Sequence, residues 1–365
     1  MKTDVLIVGA GLTGAVVART LADAGVDCAV VEKRGHLAGN CHDAVHPPSG
    51  IRVHTYGPHL FRTTDEQFWT LLNRFSEFYE YRHQVKTWVD GRWENWPVTG
   101  ECIRRLCDGD ASPELPGDGE PANFREAALR KMPKIVYEKF VKGYTEKQWA
   151  ARDTDLGPEL AGRFQVAWDG SPFLHPNHPW QGLPRGGFTN LVERMLDGIP
   201  VELGCDWFAR GSDFRWKRLV FTGPIDLFFE RKHGTLQYRG QRFDHEYIPD
   251  EDLHQVAATC NYPNDHDYVR ITEWKHLMPA DERAALKGTV ITYERPFFPS
   301  DPDRFLYPYP DPVNRALADR YIAMARSLKD VTVCGRLGHY RYYDMDHAVA
   351  RALDIGEELA RTMKK

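Results

Sequence analysis

At 365 residues the chain is long enough to bury a sizeable interior and to form two or three domains on a common frame. Lysine and arginine number 47 against 52 aspartate and glutamate, and the resulting net charge of −5 excludes the global basic field that nucleic acid or an anionic membrane would need. With 42% hydrophobic and 27% charged residues, a mean hydropathy of −0.53 and no apolar run near ~20 residues, disordered, fibrous and membrane-inserted classes fall away, and a cytoplasmic protein is expected.

In chain order, Asp4-Val-Leu-Ile-Val-Gly9 is a short β-branched apolar run closed by glycine, the pattern of a buried parallel strand. Small and aliphatic residues at helical spacing predict a helix over 12–24 with Gly25 at its C-terminus, and Cys28–Glu32 reads as the second strand of a βαβ unit. After loops to about residue 60, a helix is predicted over 65–78 with Phe68, Leu71, Leu72 and Phe75 on one face. Residues 85–96 read as a hairpin turning at Asp90-Gly91, and 108–121 as an exposed loop. Helical patterns occupy 123–165, and a proline-rich loop follows at 172–184 with Gly170 and Gly182 as hinges. A helix at 187–197, a strand at 218–222, a β-rich span to 297, a helix at 312–328, a strand at 331–334 and a last helix from 345 complete the chain.

This order predicts an α/β fold with a Rossmann-like domain assembled from discontinuous segments, 1–80, 187–228 and 312–365. A helical insertion domain at 97–186 would carry a mobile substrate loop, and 81–96 with 229–311 would form an antiparallel β-sheet domain. Seven scattered cysteines without a C-x-x-C pair predict free thiols, and no metal-ligating pair stands out on a helix among the 15 histidines, so no metal is expected. Ten tryptophans and 16 tyrosines, several beside Arg, Gly or Pro, are expected to line a ligand pocket in part.

The chemistry begins at Gly9-Ala-Gly11-Leu12-Thr13-Gly14, a G-x-G-x-x-G between strand and helix. Gly9 turns the chain, Gly11 lets backbone approach a pyrophosphate, Gly14 lets the helix pack on the sheet, and the amides at Leu12 and Thr13 open the helix toward phosphate. Glu32, beside Lys33, ends the second strand where a carboxylate can accept both ribose hydroxyls of an adenosine. NAD and FAD both satisfy this pattern. The continuation Arg34-Gly-His-Leu-Ala-Gly39-Asn40 resembles flavoproteins of the glutathione-reductase-like class, although Ala38 replaces the first glycine of their pair, and no second G-x-G-x-x-G is present for a pyridine nucleotide.

Tyr56-Gly57-Pro58-His59-Leu-Phe61 then resembles the Y-G-P-H-x-F loop of the UDP-galactopyranose mutase family. Gly143-Tyr144-Thr-x-Lys147-Gln-Trp149, Thr222-Gly-Pro-Ile-Asp226, Tyr238-Arg239, Asn261-Tyr262, Arg270-Ile-Thr-Glu273, Tyr307-Pro308 and Gly335-Arg336 through Tyr342 to Met345-Asp346 extend the likeness along nearly the whole chain. The resemblance implies reduced FAD, kept reduced by external NAD(P)H or another reductant. It implies a redox-neutral interconversion of nucleoside-diphosphate hexopyranose and hexofuranose through a flavin N5–sugar adduct, most simply with UDP-galactose. It also implies a nucleotide-sugar partner and leaves room for a homodimer. Arg239, Arg270, Tyr307 and Tyr342 match the family's diphosphate-binding set, His59 sits beside the flavin, and Arg336, Met345 and Asp346 match positions near FAD. Tyr144 and Trp149 match residues near the nucleotide base, and Asn261 is a further substrate-binding candidate.

The pattern departs between Leu160 and His175. Arg163 is the candidate for the family's P-V-R arginine, and Phe173 stands where a tyrosine hydroxyl is usual. Ala150 follows Trp149 where glycine is common. The substrate alternatives are therefore GDP- or dTDP-linked hexoses, and the alternative chemistry is a flavin oxidoreductase of the amine-oxidase type.

Overall fold

The computed structural model describes residues 2–107, 114 and 119–364; most of the loop expected at 108–121 lies outside the described residues. A five-stranded parallel sheet runs in the order Val201–Glu202, Cys28–Val31, Val5–Val8, Arg218–Phe221, Val331–Val333. Val5 and Ile7 enter one apolar cluster with helices Leu12–Asp23 and Met345–Met363, while Leu6, pointing the other way, joins Phe214 and Leu219. All three are 0% exposed, which explains the unbroken apolar run, each side chain contributing roughly 1.5–3 kcal/mol through burial.

The second large sheet has seven strands, in the order Tyr307–Pro308, Tyr238–Ile248, Thr289–Phe297, Arg270–Glu273, Thr259–Asn261, Val85–Val89, Arg92–Trp96. The hairpin forms as expected, with Asp90 at φ 52° and Gly91 at φ 75°, the left-handed pair that a two-residue turn demands. The sheet is not wholly antiparallel, because Thr259–Asn261 pairs with Val85–Val89 in parallel. These strands come from distant segments, so no tight turn dictates their direction.

Packed on the hairpin lie short helices at Phe124–Leu129 and Gly143–Trp149, joined through Lys134–Val136 and a turn of π-helix at Tyr137–Lys142. Val136, Phe140 and Trp149 pack there against Val85, Val89 and Trp96 of the hairpin. Two predicted elements change. The helix expected over 65–78 spans Glu66–Asn73, because the Asn73 side chain accepts the Phe78 N–H at 3.1 Å and turns the chain into the strand Phe78–Glu80. The end of the proline-rich loop is the strand Trp180–Pro184, held between Phe61–Thr63 and Phe78–Glu80. Gly182 is therefore locked in a sheet and is no hinge; a Cβ there would lie 2.2 Å from the Tyr79 carbonyl.

Candidate functional site

The first half of the site is a cradle made of backbone. Gly9 leaves its strand at φ 112°, and a Cβ at Gly14 would fall 1.9 Å from the Gly9 carbonyl oxygen. Gly11 and Gly39 face each other so closely that a Cβ on Gly39 would stand 2.9 Å from the Gly11 Cα. Gly11 caps helix Leu12–Asp23 without any side chain over its N-terminus, so the first-turn amides stay accessible to an anion. Glu32 is buried, one oxygen accepting the Ala10 N–H at 2.8 Å and the other the Arg34 N–H at 2.9 Å. Each oxygen keeps a lone pair for a hydroxyl, as ribose recognition requires.

Arg34 donates to Asn40 Oδ1 at 2.9 Å and lies over the Tyr56 ring, and Asn40 in turn reaches the Phe305 carbonyl. Ala38 occupies the left-handed region at φ 69°, where the resemblance leads one to expect glycine. Lys33 is not part of this cradle. It turns outward to Asp206 and Asp303 at 3.8 and 3.2 Å.

His59 lines the edge of the cavity. Its Nδ1 lies 2.8 Å from the Gly57 carbonyl, which fixes the proton on Nδ1 and leaves the Nε2 lone pair free. The His59 backbone N–H donates to His54 Nδ1 at 3.1 Å, so His54 carries its proton on Nε2, 4.0 Å from Asp43. Burial, then the neighbouring His54 and Arg336, pushes the His59 imidazole down to about 3, so it is neutral at physiological pH.

Beyond His59 opens a cavity of about 440 Å³ lined by the seven-stranded sheet, the strands Phe61–Thr63 and Trp180–Pro184, the helical region and the start of helix Met345–Met363. Strand register places its principal cation: Arg270 sits directly opposite Glu294, and its Nε donates to that buried carboxylate at 2.8 Å. Thr272 donates to the other carboxylate oxygen. Burial works against the Arg270 charge, but Glu294, Tyr144 and Tyr307 more than offset it and hold the guanidinium firmly ionised. Tyr307 and Tyr342 stack at 5.7 Å, Arg163 lies 4.2 Å from the Tyr342 ring and donates to its hydroxyl, and Arg336 sits 5.1 Å from the same ring. Two carbonyls, Leu306 and Tyr343, hold Arg336 in place. Trp149 meets Tyr307 edge-on, and Tyr144, Asn261 and Met345 complete this wall.

Two expected substrate residues lie outside the cavity. Arg239 is buried with Nε on the Gln148 carbonyl at 2.8 Å, Nη2 toward that of Lys147 and its guanidinium over Phe298. Ala150 ends helix Gly143–Trp149 in a left-handed conformation, and Arg239 satisfies the carbonyls left at that end. Burial, opposed by Tyr309, brings its guanidinium down to about 10. Phe173 packs under Arg82 instead, paired through its backbone with Gln84, and His175 takes the place on the cavity wall. Asp346 accepts the His347 amide and does not line the cavity, whereas Asp344 does.

Asp344, Arg62, His83, His175, His178 and Gln241 also line the cavity, although no motif marks them. Arg62 donates to Asp344 at 2.7 Å; burial alone would raise that carboxyl, but Arg62, Arg163 and Arg336 pull it below the usual range. Arg62 Nε, Thr145 Oγ1, His178 Nδ1 and Gln241 Oε1 are buried on the cavity without a protein partner, the mark of a wall completed by a ligand.

Comparison with known proteins bears on this geometry. The model of the UDP-galactopyranose mutase family matches residues 139–342, and that of an NAD(P)-binding Rossmann-like domain matches 7–75. A probable UDP-galactopyranose mutase of Klebsiella pneumoniae is 34% identical over 97% of this chain and 94% of its own length. The chain belongs to the UDP-galactopyranose mutase family. It is thus a mutase-family enzyme, and it is also similar to a dTDP-fucopyranose mutase of Escherichia coli, 30% identical over 99% of both chains. A crystal structure of reduced UDP-galactopyranose mutase matches the fold with a TM-score of 0.76 over 99% of this chain and 96% of that one at 14% identity. Putrescine oxidase shares the fold more distantly, with a TM-score of 0.66 over 99% of both chains at 13% identity. No helix among the described residues is long and apolar enough to cross a membrane.

Proposed function

We propose that the protein is an FAD-dependent, redox-neutral mutase interconverting a nucleoside-diphosphate hexopyranose and hexofuranose, with UDP-galactose as the first candidate. The observation that carries this reading is the charge balance of the cavity. Arg62, Arg163, Arg270 and Arg336 line it, while Glu294 and Asp344 supply the only carboxylates paired with them among the described residues. Two positive charges are left unmatched, the complement of a doubly ionised diphosphate. A substrate amine would meet repulsion here, which argues against amine-oxidase chemistry.

The backbone at Gly11 and Gly39 fits the FAD pyrophosphate and Glu32 its ribose, and this part of the chain with 187–228 and 312–365 would form the FAD domain. When bound and reduced, FAD supplies the nucleophile for the anomeric carbon. The chain's own residues do the rest. Arg163, Arg270 and Arg336 hold the diphosphate as negative charge gathers on it, and the Tyr307 and Tyr342 hydroxyls donate without adding charge. Neutral His59 offers Nε2 as an acceptor at the edge of the cavity. Trp149 and Tyr144 provide faces for the base, and Arg239 acts by positioning Gln148 and Trp149. Closure of the proline-rich segment over nucleotide belongs to this reading, restricted to residues before Trp180 because those beyond are held in a sheet.

A dTDP-linked hexose is the second reading, motivated by the relative from Escherichia coli at 30% identity over 99% of both chains. Incubating the reduced holoenzyme separately with UDP-galactose, dTDP-fucose and a GDP-hexose, then separating products by chromatography, tests both. Furanose product from one of them is the expected result, and no isomerisation of any would overturn the proposal.

A further inference from the structure

The cavity has a second wall, chemically unlike the arginine–tyrosine one. His83 comes from the segment just before the hairpin, and His175 and His178 from the proline-rich segment. Backbone bonds bring them together: the Leu174 N–H donates to the His83 carbonyl at 2.8 Å, and the buried Gln181 amide donates to the carbonyls of both His175 and His178 at 2.7 Å. The His175 and His178 rings meet edge-on at 5.3 Å. Of the ring nitrogens on these three residues, only His83 Nε2 has a protein partner among the described residues, the Thr259 hydroxyl at 3.1 Å. His178 Nδ1 is buried with nothing to bond. Three imidazoles so disposed are polar groups awaiting a ligand.

Their protonation state decides which ligand. Burial, then Arg270 and Arg62, pushes His83 down to about 3. Burial, then Arg62, does the same to His175, and His178 is lowered by the same causes. Each ring is thereby biased toward its neutral form. A neutral imidazole has one donor and one acceptor, which matches a hydroxyl, also donor and acceptor, better than a phosphate oxygen, which only accepts. A shared metal ion does not fit, because the one group among the described residues close enough to hold an ion is Asp344, Asp346 and His347.

We propose that His83, His175 and His178 form the subsite that recognises the hexose ring, exchanging hydrogen bonds with its hydroxyl groups while the arginine–tyrosine wall holds the diphosphate. The inference rests on the nucleotide-sugar reading above and deepens it. It makes the three histidines specificity residues, and it divides recognition between a charged wall common to any nucleoside diphosphate and a neutral wall that reads the sugar.

The test compares calorimetric affinities of the FAD-loaded protein for UDP and for UDP-galactose, with dTDP and dTDP-fucose as the parallel pair. His178→Ala and His175→Ala should each weaken the nucleotide sugar by about 3- to 10-fold, the worth of a neutral hydrogen bond, and leave the free diphosphate within about twofold. His178→Asn, which keeps a donor and an acceptor, should recover part of the loss. FAD content and Tm measured on every variant separate a folding defect from a binding one. Equal loss for diphosphate and nucleotide sugar, no loss for either, or a change confined to the flavin spectrum would each overturn the inference. A wild-type protein that binds neither member of either pair would instead overturn the function proposed above, and the inference with it.

Discussion

The cradle at the end of Val5–Val8 and the cavity beyond His59 are built from different material. The cradle offers backbone: glycines admit close approach, helix Leu12–Asp23 presents amides, and one carboxylate, Glu32, is held by two N–H groups. The cavity offers side chains collected from the hairpin, the π-helical turn, the proline-rich segment, two sheets and the start of the last helix. Backbone binding tolerates little change at a few positions. Side-chain binding spreads over many positions and can be retuned one residue at a time, which suits a chain whose relatives include both a probable UDP-galactopyranose mutase and a dTDP-fucopyranose mutase.

The sharpest way to break this contrast is at Gly14. A Cβ there meets the Gly9 carbonyl at 1.9 Å, so Gly14→Ala should abolish FAD retention, read from the absorbance of the purified protein. Full FAD content in that variant would mean that the cradle does not hold the cofactor. In the cavity the largest loss is expected from Arg270→Ala, which should cut kcat/KM by about 2–4 kcal/mol of transition-state stabilisation. Because it strands the 0%-exposed Glu294 carboxylate, it should also cost ~3–5 kcal/mol of stability by denaturant titration. Arg163→Ala leaves no buried partner behind, so it should lower kcat/KM by roughly 10- to 100-fold with Tm unchanged. Arg239→Ala should show the reverse balance, a lower Tm with a smaller kinetic effect, since its bonds go to helix carbonyls.

The smallest effect is a pH dependence that both halves share. The imidazoles of His54 and His59 are held down to about 4 and 3, and those of His83 and His175 to about 3, against 6.5 when free. Above 6.5 both folded and unfolded chains leave them neutral. Below it the unfolded chain takes up protons that the folded one refuses, so stability falls as pH drops from 6.5 toward 4. The Tm should decline progressively over that window, and His83→Gln should flatten the decline slightly; an unchanged Tm between pH 7 and 5 would show that these rings protonate freely in the folded state.

The same contrast explains what could be read from the sequence. The cradle was legible because its parts are local, a hexapeptide at 9–14 and a carboxylate at 32. Arg270, Tyr307 and Tyr342 were legible only through motifs, since nothing in their own neighbourhoods says that they meet. Arg62 and Asp344, paired across the fold, carry no local signal at all. Arg239 misled because its role depends on Ala150 ending a helix left-handed some ninety residues earlier, which exposes carbonyls that only the folded chain brings near. His175 was hidden by loop register: the Leu174–His83 backbone bond shifts the wall-facing position two residues past Phe173.

The central claim is that this site moves a ring without a net transfer of electrons. Its most direct test is anaerobic turnover of the dithionite-reduced holoenzyme with UDP-galactose and, separately, dTDP-fucose, counting furanose formed against reducing equivalents consumed. Many turnovers per equivalent are expected with at least one of these substrates; reductant consumed one-for-one with product would rule out redox-neutral chemistry.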